Sequence, residues 1–337
     1  MAPEILARLE ETNRIPVSGY GTDEYCAAAI EKIRAACGAP HARVHFLCGG
    51  TQTNAVVISS LLREYEGVVA ADTGHIALHE AGAIEYTGHK VLTVPGDHGL
   101  LKADALAASL RSFYSDGNYE HMVFPGMVYI SQPTEYGTLY SLSDLSELRK
   151  VCDSYHLPLY LDGARLGTAL ACRENDVSLR DLARLCDVFY IGGTKCGAII
   201  GEAVVIRDPL KLPHFFTSIK QHGALLAKGR LAGISFDTLF TDHLYTRLGA
   251  HAMEQADQIR SALKKNGWRF YFETPTNQIF VIIANETLKE LEKECVVSFW
   301  ESYDESHTVI RFCTSWATRQ EDTDALIRLI ERFAPEL

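Results

Sequence analysis

Val188-Phe-Tyr-Ile-Gly-Gly-Thr-Lys195-Cys-Gly-Ala-Ile-Ile-Gly201 is the stretch on which the reading of this chain turns. Val188 to Ile191 forms the short apolar run of a buried strand, two glycines and a threonine break it, and one lysine follows before apolar residues resume. Lysine in apolar surroundings has its charged form disfavoured, so its amine becomes a nucleophile for a carbonyl. Read locally, Lys195 serves as well as a strand-end residue whose ammonium reaches back to water. The rest of the chain decides between the two.

Working outward, apolar runs at 43–47, 67–71, 90–95, 123–131 and 158–161 read as further strands, with 204–206 ending the series. Helical patterns at 24–37, 55–64, 104–114, 143–155 and 178–185 fall between most of them, and 3–12 forms a helix ahead of them. Thr22 and Asp23 offer N-caps to the helix at 24–37, and Gly38 with Pro40 ends it. Strands alternating with helices imply a mostly parallel sheet covered on both faces. From 210 to 265 the pattern is helical, interrupted by Gly223, Gly229 and Gly233. A strand at 279–283, a helix at 286–294, strands near Val297 and at 308–313 and a helix at 319–333 make a small α+β unit.

The chain has 337 residues, more than single cores of about 250–300 residues usually organise, so two domains are expected, 1–245 and 246–337. A net charge of −11 with no Lys/Arg cluster argues against a nucleic acid or an anionic membrane as partner and for a small molecule. Nine cysteines, an odd number without a CxxC pair, suit reduced thiols in a cytoplasmic protein. No basic-then-apolar leader opens the sequence and no apolar run reaches about 18 residues, so neither secretion nor membrane spanning is expected.

Two further stretches carry chemistry. Gly49-Gly50-Thr51-Gln52 lies between a strand and a helix N-terminus, where free N–H groups and the helix dipole favour an anion such as phosphate. It is neither GxGxxG nor GxxxxGK[ST], so the dinucleotide and P-loop fingerprints are missing, and a plain connecting turn remains open for it. Asp162, in Leu159-Tyr-Leu-Asp162-Gly-Ala-Arg165, ends an apolar strand, where open α/β sheets bind ligands. Such a carboxylate can cap the next helix, or it can supply the counter-charge for the protonated ring nitrogen of pyridoxal phosphate.

Taken in order, Tyr20-Gly-Thr-Asp-Glu-Tyr25, Gly50-Thr-Gln-Thr-Asn54, Gly74-His-Ile-Ala-Leu-His-Glu-Ala-Gly-Ala83, Asp162-Gly-Ala-Arg165, Gly193-Thr-Lys-Cys-Gly197 and Arg311-Phe-Cys-Thr314 extend over most of the chain. With these motifs the chain resembles the fold-type-I pyridoxal-phosphate enzymes, and within them the threonine aldolase and β-eliminating lyase family, nearest to low-specificity L-threonine aldolases.

The resemblance implies a pyridoxal-phosphate-dependent transferase-like α/β fold of type I. A mainly parallel seven-strand sheet would form the large domain, behind an N-terminal arm, and a small α+β domain would follow. It implies pyridoxal 5'-phosphate as cofactor and retro-aldol cleavage of a β-hydroxy-α-amino acid to glycine and an aldehyde. β-Elimination or transamination of a small amino acid is the alternative within enzymes, and a non-catalytic amino-acid or cofactor-binding protein the alternative outside them. Lys195 would form the Schiff base and Asp162 would pair with the ring nitrogen. Gly50, Thr51 and Gln52 would hold the phosphate, His75 would stack on the ring, and Thr194 would adjoin the cofactor. Arg165, also beside the cofactor, and Arg311 would grip the substrate carboxylate, for which a planar guanidinium fork is suited. Lys228, or Arg230 in its place, would reach a phosphate across a subunit boundary, and Tyr20 and Tyr25 would line a neighbouring subunit's site, in a homodimer or homotetramer.

His75 and His79 lack an HExxH pattern and a third ligand, so no metal is expected. The resemblance breaks at two places. Many family members contact the substrate carboxylate from an N-terminal strand, whereas this sequence opens at Met1-Ala-Pro-Glu4. Glu135, in Ser131-Gln-Pro-Thr-Glu135-Tyr-Gly137, stands where the family's better-known pattern has a histidine near the β-hydroxyl. It reads either as the general base or as a solvated loop residue, with His75 or a water as the other candidate bases.

Overall fold

A computed structural model describes residues 1–335; residues 336 and 337, the end of the second expected domain, lie outside the described residues. Seven strands form the main sheet: β1 (Arg43–Leu47), β2 (Glu66–Ala71), β3 (Val91–Val94), β4 (Phe124–Ser131), β5 (Leu159–Asp162), β6 (Val188–Gly192) and β7 (Glu202–Ile206). Their spatial order is β1-β7-β6-β5-β4-β2-β3. The pairs from β6 through β5, β4 and β2 to β3 are parallel, whereas β7 runs opposite to both β1 and β6. The seven-strand, mainly parallel sheet is the one expected.

Every residue of β5 and β6 is buried, which is why both read as continuous apolar runs. Alternate side chains serve opposite faces. Phe189 and Ile191 join Leu159 and Leu161 in a core with Ile33, Leu106, Leu148 and Leu182. Val188 and Tyr190 join Tyr160 in a second core with Val56, Val57, Ile84 and Phe215. One strand residue therefore faces each helical layer in turn, and the parallel strands all present their carboxyl ends at one edge.

The helix Glu24–Cys37 has the expected bounds, with the Asp23 side chain accepting the Cys26 N–H and Gly38 left-handed at φ 60°. The glycine turn is shorter than expected. The helix there is Gly50–Leu61, because Gly49, fully extended, lets the chain enter the helix at once. Thr51 to Asn54 thus lie in its first turns rather than in a loop. The long helical region divides into Phe215–Gln221, Arg230–Leu239 and Leu244–Lys265.

The last of these helices packs on both Leu166–Ala171 and Gln320–Arg332. It approaches the first so closely that a Cβ on Gly249 would meet the Gly167 carbonyl oxygen at 2.0 Å. Beyond it, β8 (Arg269–Phe272), β9 (Gln278–Ala284), β10 (Ser298–Ser302) and β11 (His307–Cys313) form an antiparallel sheet in the order β10-β11-β9-β8. Its core holds Ile259, Leu263, Trp268, Val281 and Ile310. β8 was not read from the sequence, since its residues are exposed or half-buried and show no clean apolar run.

Candidate active site

The carboxyl ends of β4, β5 and β6 and the N-terminus of the helix Gly50–Leu61 converge on one cavity. Gly50, Thr51, His75, Glu135, Asp162, Arg165, Thr194 and Lys195, all expected from the sequence, line it. Asp162 is 4% exposed and held through both oxygens. Its Oδ2 accepts from Tyr129 Oη at 2.8 Å and Asn54 Nδ2 at 3.0 Å, while Oδ1 accepts from the Ala164 N–H at 2.9 Å and from Tyr190 Oη. These donors offset the cost of burying its oxygens. Asp162 does not cap the short helix that follows, whose N-cap residue is Arg165.

Lys195 stays open to the cavity mouth. Loss of water on its inner side, and then the Arg165 charge, push its ammonium below the usual lysine range, against Asp162 and Glu202. That favours the free amine over a snorkelling ammonium. At the other end of the cavity, no side chain caps the helix at Gly49, so first-turn N–H groups remain open to an anion. A Cβ on Gly50 would lie 3.1 Å from Tyr190 Oη, so glycine keeps this turn close to the floor. Gln52 is not among the lining residues; its Oε1 accepts the Cys48 N–H at 3.2 Å and closes the turn instead.

Glu135 is no solvated loop residue. Its Oε1 accepts from Ser131 Oγ at 2.7 Å and from the His75 N–H at 2.9 Å. Burial raises its pKa, and Asp162 adds to this, against the Ser131 and backbone bonds and the His75 charge. His75 Nδ1 stands 2.9 Å from Glu80 Oε1. Burial opposes the imidazolium, but the Glu80 bond and the charges of Asp162, Glu80 and Glu135 together raise the pKa of His75. His79 is exposed and its ring lies 5.8 Å from that of His75.

Arg165 borders the cavity, and among the described residues neither it nor Arg311 forms an ion pair with a carboxylate. Arg311 lies on β11, an interior strand of the small sheet. It donates to Gln278 Oε1 at 3.0 Å, and its guanidinium lies 5.4 Å from the Trp300 ring centroid. Burial, followed by the Arg165 charge, lowers its pKa. Two partly desolvated guanidiniums that feel each other's charge make a place for an anion.

Tyr20 and Lys228 are not brought to this cavity within the chain. Tyr20 lines a separate, largely apolar groove with Phe216 and Ile219, its ring 4.9 Å from Lys220 Nζ. Lys228 is exposed in a third cavity beside Arg14. Arg230 is committed elsewhere: it donates to the carbonyls of Ile15 and Thr12 and lies over the Tyr25 ring.

Sequence reasoning missed the supporting polar shell of Asn54, Glu80, Tyr129, Ser131, Tyr190 and Glu202. Glu202 is 3% exposed and accepts the Gly193 N–H at 2.8 Å. Burial pushes its carboxyl up to about 7, against bonds from Gly193 and Thr194 and the Lys195 charge. A signal was present: Gly201-Glu-Ala-Val-Val-Ile206 puts a lone carboxylate at the head of an apolar strand.

Comparison with known proteins agrees with this geometry. Residues 16–287 match the family described as Beta-eliminating lyase, a span that includes Lys195 and Asp162 but ends before Arg311. A low specificity L-threonine aldolase of a Pseudomonas species is 30% identical over 332 residues, 95% of this chain and 91% of that protein. The structure of Leishmania major threonine aldolase is 40% identical, with a TM-score of 0.96 over 99% of this chain and 97% of that one. A Thermus thermophilus aspartate aminotransferase, at 12% identity and a TM-score of 0.70 over 98% and 92% of the two chains, shares the fold alone. The fold is that of the type-I pyridoxal-phosphate enzymes, and with its lysine, strand-end aspartate and open helix terminus inside the matched span, the chain belongs to the β-eliminating lyase family.

Proposed function

We propose that this protein is a pyridoxal-phosphate-dependent aldehyde-lyase that cleaves a β-hydroxy-α-amino acid of the L-threonine type into glycine and an aldehyde. The observation that carries this reading is the meeting of Lys195, Asp162 and the uncapped helix start at Gly50-Thr51 around one cavity. These residues fit pyridoxal phosphate: an amine of lowered basicity for its aldehyde, a carboxylate that lines the cavity for its ring nitrogen and open N–H groups for its phosphate. His75, on the same cavity, would cover the ring, and Thr194 would adjoin it. When bound, the cofactor supplies an electron sink for the charge left on Cα when a bond to it breaks.

The chain's own residues do the remaining work. Asp162, oriented by four donors, would hold a proton on the cofactor's ring nitrogen, electrostatic stabilisation aimed at the transition state. Arg165 and Arg311 hold the substrate carboxylate and so fix which Cα bond is aligned to break. Glu135 or His75 takes the proton from the β-hydroxyl, both lining the cavity and both having pKa values raised above their ordinary ranges. The backbone N–H groups of Gly50, Thr51 and Gln52 hold the phosphate.

The same reading makes the protein a homodimer or homotetramer, in which Tyr20 and Lys228 serve a neighbouring subunit's site. Their exposure away from this chain's own cavity supports it. It keeps 1–245 and 246–337 as the two domains. All nine cysteines are unpaired, which suits a reducing compartment such as the cytoplasm. Among the described residues no helix is long and apolar enough to cross a membrane.

The test is incubation of purified protein and cofactor with L-threonine, L-allo-threonine and phenylserine, beside the visible spectrum of wild type and Lys195→Ala. Glycine plus aldehyde is expected, with a lysine-dependent band. Keto acid and ammonia would move the assignment to a β-eliminating lyase, and a band that responds to amino acid without any product would indicate a binding protein. Absence of the band would sink the reading as a whole.

A further inference from the structure

A closed ring of hydrogen bonds runs under the cavity. Tyr160 Oη donates to Asn54 Oδ1 at 2.7 Å, which turns the amide nitrogen of Asn54 toward two carboxylates, Asp162 Oδ2 at 3.0 Å and Glu80 Oε1 at 2.8 Å. Glu80 Oε1 also meets His75 Nδ1 at 2.9 Å. The His75 N–H donates to Glu135, Ser131 Oγ lies within hydrogen-bond distance of both Glu135 and Tyr129 Oη, and Tyr129 returns to Asp162. Asn54, Glu80 and Tyr129 are buried, and among the described residues the second oxygen of Glu80, Oε2, has no partner.

We propose that Glu80 is the positioning residue for His75, and that Asn54 joins it to Asp162, so that the His75 proton sits on Nδ1 at the end of a chain anchored on the Asp162 carboxylate. This rests on the functional reading above for its catalytic meaning. Glu80 Oε1 already accepts from Asn54 Nδ2, so the same oxygen meets His75 as an acceptor, which puts the proton on His75 Nδ1 and leaves Nε2 as the ring nitrogen free to exchange one. A buried carboxylate with one unpartnered oxygen is costly without a nearby positive charge, and His75 is the group placed to carry it. The charges acting on His75 are Glu80, five residues on, Glu135 beyond β4, Asp162 at the end of β5, and His79 one turn away. The three carboxylates act in the same direction on the imidazolium, whereas His79 opposes it.

The experiment is imidazole 15N NMR of the resting holoenzyme with labelled histidine, the His75 signals being assigned by their loss in His75→Phe. In the wild type, neutral His75 is expected as the Nδ1–H tautomer. Glu80→Gln keeps an oxygen for that proton but removes the charge, so the His75 titration should fall by about one pH unit or more with the tautomer retained. The limb of the kcat/KM–pH profile that follows His75 should move the same way. A titration at the wild-type pH in Glu80→Gln overturns the proposal. So does an Nε2–H tautomer in the wild type, a reading that does not depend on any variant folding. Because the NMR measurement needs no turnover, a preparation that releases glycine but leaves the His75 titration unmoved retains the functional reading and sinks this one. One that lacks the Lys195-dependent band sinks the functional reading instead.

Discussion

The backbone N–H of His75 donates to Glu135 Oε1 at 2.9 Å, although 60 residues separate them in sequence. The two candidate bases are therefore held as one unit, Glu135 by the backbone that carries the His75 ring. Where a histidine was expected from the resemblance, a carboxyl group with a raised pKa stands instead.

Glu135→Gln retains an acceptor for the His75 N–H and the Ser131 hydroxyl and removes only the proton exchange. Glycine release from L-threonine should fall by about 10²–10⁴-fold in kcat, with the thermal unfolding midpoint nearly unchanged. A near-wild-type kcat would assign the proton transfer to His75 or to water.

Arg311 is held by Gln278 and by the Trp300 ring, and among the described residues no carboxylate pairs with it. Replacing it with leucine removes a charge-assisted contact of about 1.5–3 kcal/mol, so KM for L-threonine should rise about 10–100-fold. The visible band should persist, since Lys195 and Asp162 are untouched. An unchanged KM would remove Arg311 from the substrate site.

Glu202 carries a pH prediction. Its folded pKa of about 7 lies above the unfolded value, so the native state binds the extra proton and stability falls as pH rises from about 4.5 to about 7. Glu202→Gln should therefore leave unfolding of the cofactor-free protein little changed at pH 5 and stabilise it at pH 8, by up to about 3 kcal/mol. Equal effects at the two pH values would show that the buried carboxylate is not the cause.

Gly163 separates Asp162 from the Arg165 turn, and a Cβ there would meet the Tyr190 carbonyl oxygen at 2.0 Å. Gly163→Ala must push β5 and β6 apart where their carboxyl ends carry Asp162 and lead to Lys195. The variant should lose about 1–3 kcal/mol of stability, read by denaturant unfolding, and bind cofactor more weakly in a spectral titration. Wild-type values for both would mean that the strands accommodate the methyl.

The sequence by itself determined the strands of the main sheet and the order of the chemical groups, though not β8 or the start of the helix Gly50–Leu61. Strands β5 and β6 are apolar throughout because both of their faces are covered, and Gly50-Thr51, Asp162 and Lys195 were legible because each follows or ends such a run. Those are local relations, set by spacing and by the turn that a strand end requires.

Only the tertiary structure decided which polar residues support them. Asn54 reaches Asp162 across 108 residues and Tyr160 reaches Asn54 across 106, joining elements that adjoin only once the sheet is assembled. The role of a glutamate such as Glu80, Glu135 or Glu202 depends on whether water is excluded around it, and exclusion is a property of packing rather than of neighbours in sequence. Tyr20 and Lys228, which the resemblance assigns to a neighbouring subunit's site, lie away from this chain's own cavity, because order along the sequence orients residues within one strand-turn-helix unit but does not fix the distance between units.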